Sequence, residues 1–228
     1  MSENQQTQNI QNNRRCVIVA GAGISDYGRI RTYFRDDDFY IFCDSGLRHM
    51  EGLGVRPSLV IGDFDSQDDP HLDVETIILP VAKDDTDSVF AAKEGIRRGF
   101  RDFLLVGVMG GRMDHTLVNA YLLFSLDSQG AKALAVDDYS EIEVISSSVK
   151  DGVSIPGRAC VSCEFPFFSL VNMTGKAKGV TIRNAKFPLE DAEITNEYQY
   201  ATSNEALPGM TAEIEITDGR LLLIRDII

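Results

Sequence analysis

Between residue 16 and about residue 137, short apolar runs alternate with stretches whose apolar residues recur every three or four positions. The runs CVIVAG, FYIFCD, SLVIGD, ETIILPV, FLLVGVMG and KALAVDD are continuous, as in parallel strands covered on both faces. Between them, TDSVFAAKEGIRRG sets Val89, Ala92 and Ile96 on one helical face, and MDHTLVNAYLLFSL does the same with Leu117, Tyr121 and Phe124. Strand and helix in turn imply an α/β domain built on an open, mostly parallel sheet with right-handed crossovers. After residue 140 the helical period disappears. EIEVISSS, RACVSCEFPFFSLVN, GVTIRN and TAEIEITDGRLLLI read as strands, with Asp218-Gly219 as the turn of a hairpin. The second half is therefore predicted to be an all-β sandwich. The expected division is an α/β domain over residues 14–139 and a β-sandwich over 140–228. The polar, amide-rich residues 1–13 precede them and are expected to be disordered.

Composition narrows the class. A chain of 228 residues has ample core for one large or two modest domains. No apolar run approaches the roughly 20 residues of a bilayer span, and the N-terminus has no basic-then-apolar leader, so a cytoplasmic protein is expected. The formal net charge of −13 argues against nucleic acid or an anionic membrane as partner. It also means that a phosphate ligand needs local relief, from a divalent cation or well-placed Lys and Arg. Of the four cysteines, Cys16 and Cys43 fall in strand runs as small hydrophobes. The single CVSC at 160–163 lacks the further ligands a zinc site requires, and reduced thiols are expected.

The unusual residues gather where strands end, which is where open α/β sheets bind ligands. SLVIGDFDS closes a strand with Asp63 and Asp65 two apart, followed by Ser66. In extended chain those two carboxylates share a side and repel unless a cation lies between them. The next strand runs into PVAKDDTDS, with Lys83, Thr86 and Asp87 just before a helix. Asp, Ser and Thr also serve as helix caps, so either cluster alone has a structural reading. Two at successive strand ends point to Mg²⁺, held by Asp63, Asp65 and Asp87 with Lys83 as a counter-charge to phosphate. A third stretch, GVMGGRMDHTLVN, follows a strand with Gly110-Gly111 and opens a helix, a natural anion site. There Arg112, His115 and Asn119 form one polar stripe, predicted to lie opposite Leu117, Tyr121 and Phe124.

Taken in order and spacing, VIGDFDS, KDDTDS and GGRMDHTLVN resemble the motifs of thiamine pyrophosphokinase. FCDSGLRHMEGLGVRPSLVIGDFDS resembles the lead-in to the first, and GVTIRNAKFPLED…ATSNEALPG the family's β-domain signature. The resemblance spans about residues 16–226. It implies transfer of a diphosphoryl group from Mg-ATP to the hydroxyl of thiamine, giving thiamine diphosphate and AMP. It also implies a homodimer whose active site is shared between subunits. By motif, Asp63, Asp65 and Asp87 are the Mg²⁺ ligands, while Asp44, Ser66, Lys83, Thr86, Arg112 and His115 approach ATP and its phosphates. Asp87, Arg112 and Asp114 attend the reaction, with either carboxylate able to take the alcohol's proton. Ser203, Asn204 and Phe187 face thiamine in the β-domain. After Asp44 the family usually reads Gly-Gly-Ala-Asn, whereas this chain has Ser45-Gly46-Leu47-Arg48.

Two other readings compete. The opening GAGIS resembles that of the NAD-dependent sirtuins, but no His-Gly motif and no second C-x-x-C follow it, and the aspartates are left without a task. A nucleotide- or thiamine-binding regulatory protein that lost catalysis would explain the altered turn at 45–48 but does not require so many metal-directed carboxylates. A diphosphokinase acting on another alcohol stays open on the residues alone.

Overall fold

The computed structural model describes residues 14–64, 73–80 and 85–227, which leaves the 1–13 tail outside the described residues. The chain divides into one unit ending at Asp138 and a second beginning at Tyr139.

In the first unit, the continuous apolar runs form six strands. They are β1 (Cys16–Val19), β2 (Phe39–Cys43), β3 (Leu59–Gly62), β4 (Glu75–Ile78), β5 (Asp102–Val106) and β6 (Lys132–Val136). All pair in parallel, in the order β6-β5-β1-β2-β3-β4. One face buries Val17, Val19, Phe42, Leu104 and Val106 together with Ile30 of α1 (Tyr27–Arg31) and Leu53 of α2 (Met50–Leu53). Helix α3 (Asp87–Arg97) packs on β1 and β2, and α4 (Met113–Ser128) packs on β6. The chain steps outward from β1 through β4 and then returns to the other side of β1 with β5. This reversal opens a crevice at the carboxyl ends of β1 and β5.

The helical faces differ from expectation. On α3 the buried residues are Ser88, Ala91, Ala92, Glu94 and Gly95, with Val89 and Ile96 only half-buried. On α4, Leu117 and Tyr121 are 49% and 53% exposed, while Asn119, Ala120, Leu122, Leu123, Phe124 and Leu126 are buried. This helix carries apolar residues on most of its circumference, so three of them could not identify the inward side. Within the polar stripe Arg112 is exposed and His115 half-buried, while Asn119 turns inward because its amide is satisfied there: it donates to the Val108 carbonyl at 2.7 Å and accepts from Ser88 Oγ at 2.7 Å.

The second unit is antiparallel. One sheet has the order β11-β15-β7, made of Phe167–Val171, Arg220–Asp226 and Ser140–Ser146. The other has the order β10-β14-β12-β13, made of Gly157–Ser162, Thr211–Ile216, Lys176–Arg183 and Leu189–Thr195. A small ribbon pairs β8 (Ser148–Lys150) with β9 (Val153–Ile155). Ile145, Phe168, Leu170, Leu221 and Leu223 of the first sheet share a core with Val161, Val180, Ile182, Ile194 and Ile214 of the second, which makes a sandwich.

The hairpin expected at Asp218-Gly219 does not form. β14 pairs with β10 and β12, whereas β15 pairs with β7 and β11, so the Asp-Gly turn carries the chain from one sheet to the other. Asp218 instead bridges to Lys178, and Gly219, at φ 95°, lies so close to the Lys176 carbonyl that a Cβ would meet it at 2.4 Å. Both flanking strands have apolar faces to bury, and opposite walls of one core accommodate both. None of the four cysteines forms a disulfide; Cys16 and Cys43 are buried, and burial pushes the Cys16 thiol up.

Candidate functional site

The crevice holds a cavity of about 480 Å³, within the range of small-molecule sites. The β1 exit lines it with Ala20–Gly23, the β2 exit with Ser45 and Arg48, and the β5 exit with Gly107, Gly110 and Gly111. Thr86, Asp87 and Ser88 enter from the start of α3, and Arg112, His115 and Asn119 from α4. A polar rail connects these walls. Thr86 caps α3 and lies 3.1 Å from Ser88 Oγ, which donates to Asn119, which in turn holds the loop after β5 at Val108. Asp87 is the first residue of α3, so this rail sets where its carboxylate starts.

Beside the cavity, Asp44 is buried at the end of β2. Its carboxylate accepts from the backbone N–H groups of Ser45 and Phe64, and its Cβ lies against the backbone at Gly62, just ahead of Asp63. Burial raises the Asp44 carboxyl above its ordinary range, and the charges of Asp87 and Asp63 raise it further. Acids from two other chain segments thus act on Asp44. Phe64, between Asp63 and Asp65, occupies the left-handed region at φ 52°, strain of the kind that persists at functional sites.

Whether these residues suit a cation turns on the donor set. Among the described residues no three ligating side chains are close enough to enclose an ion by themselves. Mg²⁺ does not ask for that, since it takes one or a few carboxylates and fills the rest with water and substrate phosphate. A buried Asp44 that feels the charges of Asp63 and Asp87, beside a polar cavity, fits such an ion. Asp65, Ser66 and Lys83 lie outside the described residues.

Arg112 and Asp114 form an exposed ion pair, Nη2 to Oδ2 at 2.5 Å and Nε to Oδ1 at 3.2 Å. The guanidinium holds the Asp114 carboxyl down at about 2. Asp114 does not line the cavity; Arg112 and His115 do.

In the second unit, Phe187 and Asn204 border a cavity of about 40 Å³ together with Ile182, Leu189, Tyr200 and Thr202. Asn204 is buried and its amide bonds to backbone through both its oxygen and its nitrogen. Oδ1 accepts from Phe187 N at 3.0 Å and Glu205 N at 2.9 Å, and Nδ2 donates to the Phe187 carbonyl at 2.8 Å. These bonds tie it to the backbone of Phe187, whose ring is exposed. Ser203, at φ 54°, adjoins this cavity without lining it and donates its N–H to Ser169 Oγ at 3.0 Å.

Comparison with known proteins follows these two units. Residues 30–135 match the family described as "Thiamin pyrophosphokinase, catalytic domain", and residues 159–221 match "Thiamin pyrophosphokinase, vitamin B1 binding domain". The chain belongs to the thiamine pyrophosphokinase family. A curated thiamine pyrophosphokinase from Bacillus subtilis (strain 168) is 24% identical over 214 residues, covering 91% of this chain and 96% of the relative. The crystal structure of a thiamine pyrophosphokinase from Bacillus subtilis aligns with a TM-score of 0.77 at 24% identity, over 93% of this chain and 98% of that one. Thiamin pyrophosphokinase from Candida albicans aligns with a TM-score of 0.70 at 11% identity, over 96% and 91%. At such identities the structures establish the fold.

Within the thiamine pyrophosphokinase fold, the crevice collects residues that motif reading passed over. Gly21, Ser45, Arg48 and Ser88, none of them given a site role by motif, all line it. The glycines of GAGIS are part of the cavity wall, and the departure at 45–48 places a hydroxyl and a guanidinium there. Reading successive strand ends together, beyond the acidic ones, was the available signal.

Proposed function

We propose that this chain carries out the family reaction, moving a diphosphoryl group from ATP to the hydroxyl of thiamine and releasing thiamine diphosphate and AMP. The observation that carries it is the match of both family domains, each on a unit with its own cavity. Asp63, Asp65 and Asp87 are the residues to hold Mg²⁺, which when bound neutralises the triphosphate and draws electron density from the reacting phosphorus.

The remaining work falls to the chain's own groups. The crevice at the switch point binds the nucleotide, with Thr86, Arg112 and His115 toward its phosphates and Asp44 beside the acids. Thiamine's oxygen attacks the β-phosphorus in line, and the bond to the α-phosphate bridging oxygen breaks. Arg112 faces the charge that develops on the leaving AMP. Because Arg112 holds the Asp114 carboxyl down at about 2, Asp114 serves to aim Arg112, and Asp87 is left to take the alcohol's proton. Phe187, positioned by Asn204, offers thiamine an aromatic wall, with Ser203 close by. A homodimer completes the proposal, and the exposed apolar line Met113, Leu117 and Tyr121 on α4, next to Arg112 and His115, supports a second copy there.

Incubation with Mg-ATP and thiamine tests the assignment. AMP and thiamine diphosphate in equal amounts are expected. ADP as product contradicts it, as does binding of both ligands without turnover, the result a regulatory protein would give.

A further inference from the structure

Arg48 stands apart among the cavity's cations. Arg112 is engaged by Asp114, whereas Arg48 meets no carboxylate among the described residues. Its one hydrogen bond runs from Nε to the Ser45 carbonyl at 2.8 Å, so the Nη1/Nη2 edge is not committed to a described residue. Exposed arginines of this sort usually sweep through many rotamers, but this one rises from a clamped support. Gly46, two residues earlier, packs so closely on the Val19 carbonyl that a Cβ would come within 2.1 Å of it. His49, the next residue, is buried; its Nε2–H donates to the Ala22 carbonyl at 2.9 Å and its Nδ1 accepts from the Tyr27 hydroxyl at 2.9 Å. The turn Asp44–His49 is thereby fixed to the wall of the cavity it borders.

Charge indicates what the free edge meets. The β2 exit that carries Arg48 also carries Asp44, whose carboxyl feels Asp63 and Asp87. A lone guanidinium on the bank where the acids gather suits the polyanion that a cation draws there. A planar fork on a fixed turn matches the paired oxygens of phosphate. We infer that Arg48 is a binding residue for the phosphate chain of the nucleotide, hydrogen-bonded through its Nη1/Nη2 edge. This rests on the functional reading above for the nucleotide's identity, while the anion site itself does not depend on turnover.

The test compares wild type, Arg48→Ala and Arg48→Lys in Mg²⁺ buffer. Binding of inorganic tripolyphosphate and of adenosine is measured by calorimetry, and KM for ATP and thiamine by AMP release. Arg48→Ala is expected to weaken tripolyphosphate binding and raise KM for ATP by about ten- to a hundredfold, the loss of a charge-assisted contact. Adenosine affinity and KM for thiamine stay within about twofold, and Arg48→Lys, which keeps charge without the fork, falls between. Unchanged tripolyphosphate binding in Arg48→Ala overturns the inference. So does loss of adenosine affinity alone, which would put Arg48 on the base, and so does a wild-type protein that fails to bind tripolyphosphate at millimolar concentration. If the wild type releases no AMP yet Arg48→Ala still loses tripolyphosphate, the functional reading fails and the anion site stands.

Discussion

The two cavities are built from opposite materials. The crevice of the first unit is lined or flanked by Asp44, Asp63, Asp87, Arg48, Arg112 and His115, held on strand exits and helix starts. The small cavity of the second is bordered by Ile182, Phe187, Leu189, Tyr200, Ala201, Thr202 and Asn204, with no ionisable group except a tyrosine. In the first, the fold brings Asp63 and Asp87 to bear on a buried Asp44 beside a polar cavity. In the second, one buried amide sets backbone geometry around an aromatic ring. The former suits chemistry on phosphates and the latter suits recognition of a ring system, so substitutions in each should fail in different ways.

The sharpest contrast comes from Asp87→Asn. Removing a metal-directed charge from the start of α3 is expected to lower kcat by about a thousandfold or more, while the thermal midpoint moves only a few degrees, roughly the worth of one helix-start charge. AMP release and a melting curve together check this; a misfolded variant whose soluble fraction keeps wild-type specific activity makes the residue structural. Next in size, Asn119→Leu breaks the rail between α3 and the β5 exit. A kcat loss of about ten- to a hundredfold through misplacement of Asp87 is expected, with roughly 1–3 kcal/mol of stability lost in chemical denaturation because Ser88 and Val108 are left unpaired. In the second unit, Asn204→Ala should cost roughly 2–4 kcal/mol and raise KM for thiamine about tenfold, equivalent to about 1.4 kcal/mol of binding. KM for ATP should stay put, and a rise there instead would erase the contrast between the cavities. The smallest effect is expected at Asp114→Asn, within about threefold of wild-type kcat. A loss of a hundredfold or more, the range for a missing proton acceptor, would restore Asp114 to that role.

Much of this could be read from residue order. Continuous apolar runs announced parallel strands because both faces of the central sheet are covered, and two of the three motif stretches, those with Asp87 and with Gly110-Gly111-Arg112, fall on the crevice. What escaped reading depended on the third dimension. Leu117 and Tyr121 looked inward-facing because α4 is apolar on several sides, and only the partners waiting at Ser88 and Val108 turn Asn119 inward. Asp218-Gly219 has hairpin chemistry, yet its neighbours pair in different sheets. Arg48 became visible as a cavity residue only once the order β5-β1-β2 brought its turn beside GAGIS. Asn204 borders its cavity as a residue bonded to both backbone groups of Phe187, a pairing across 17 residues that the motif alone could not announce.

The account stands on acids from neighbouring chain exits sharing one divalent cation, and a Mg²⁺ titration of AMP release after exhaustive chelation addresses this directly. Chelated protein should release no AMP, added Mg²⁺ should restore it, and Asp63→Asn should shift the half-saturating Mg²⁺ concentration upward by about tenfold or more, the order of one lost charge-assisted ligand. AMP release that persists without divalent metal, or an Asp63→Asn titration that overlays the wild type, would contradict it.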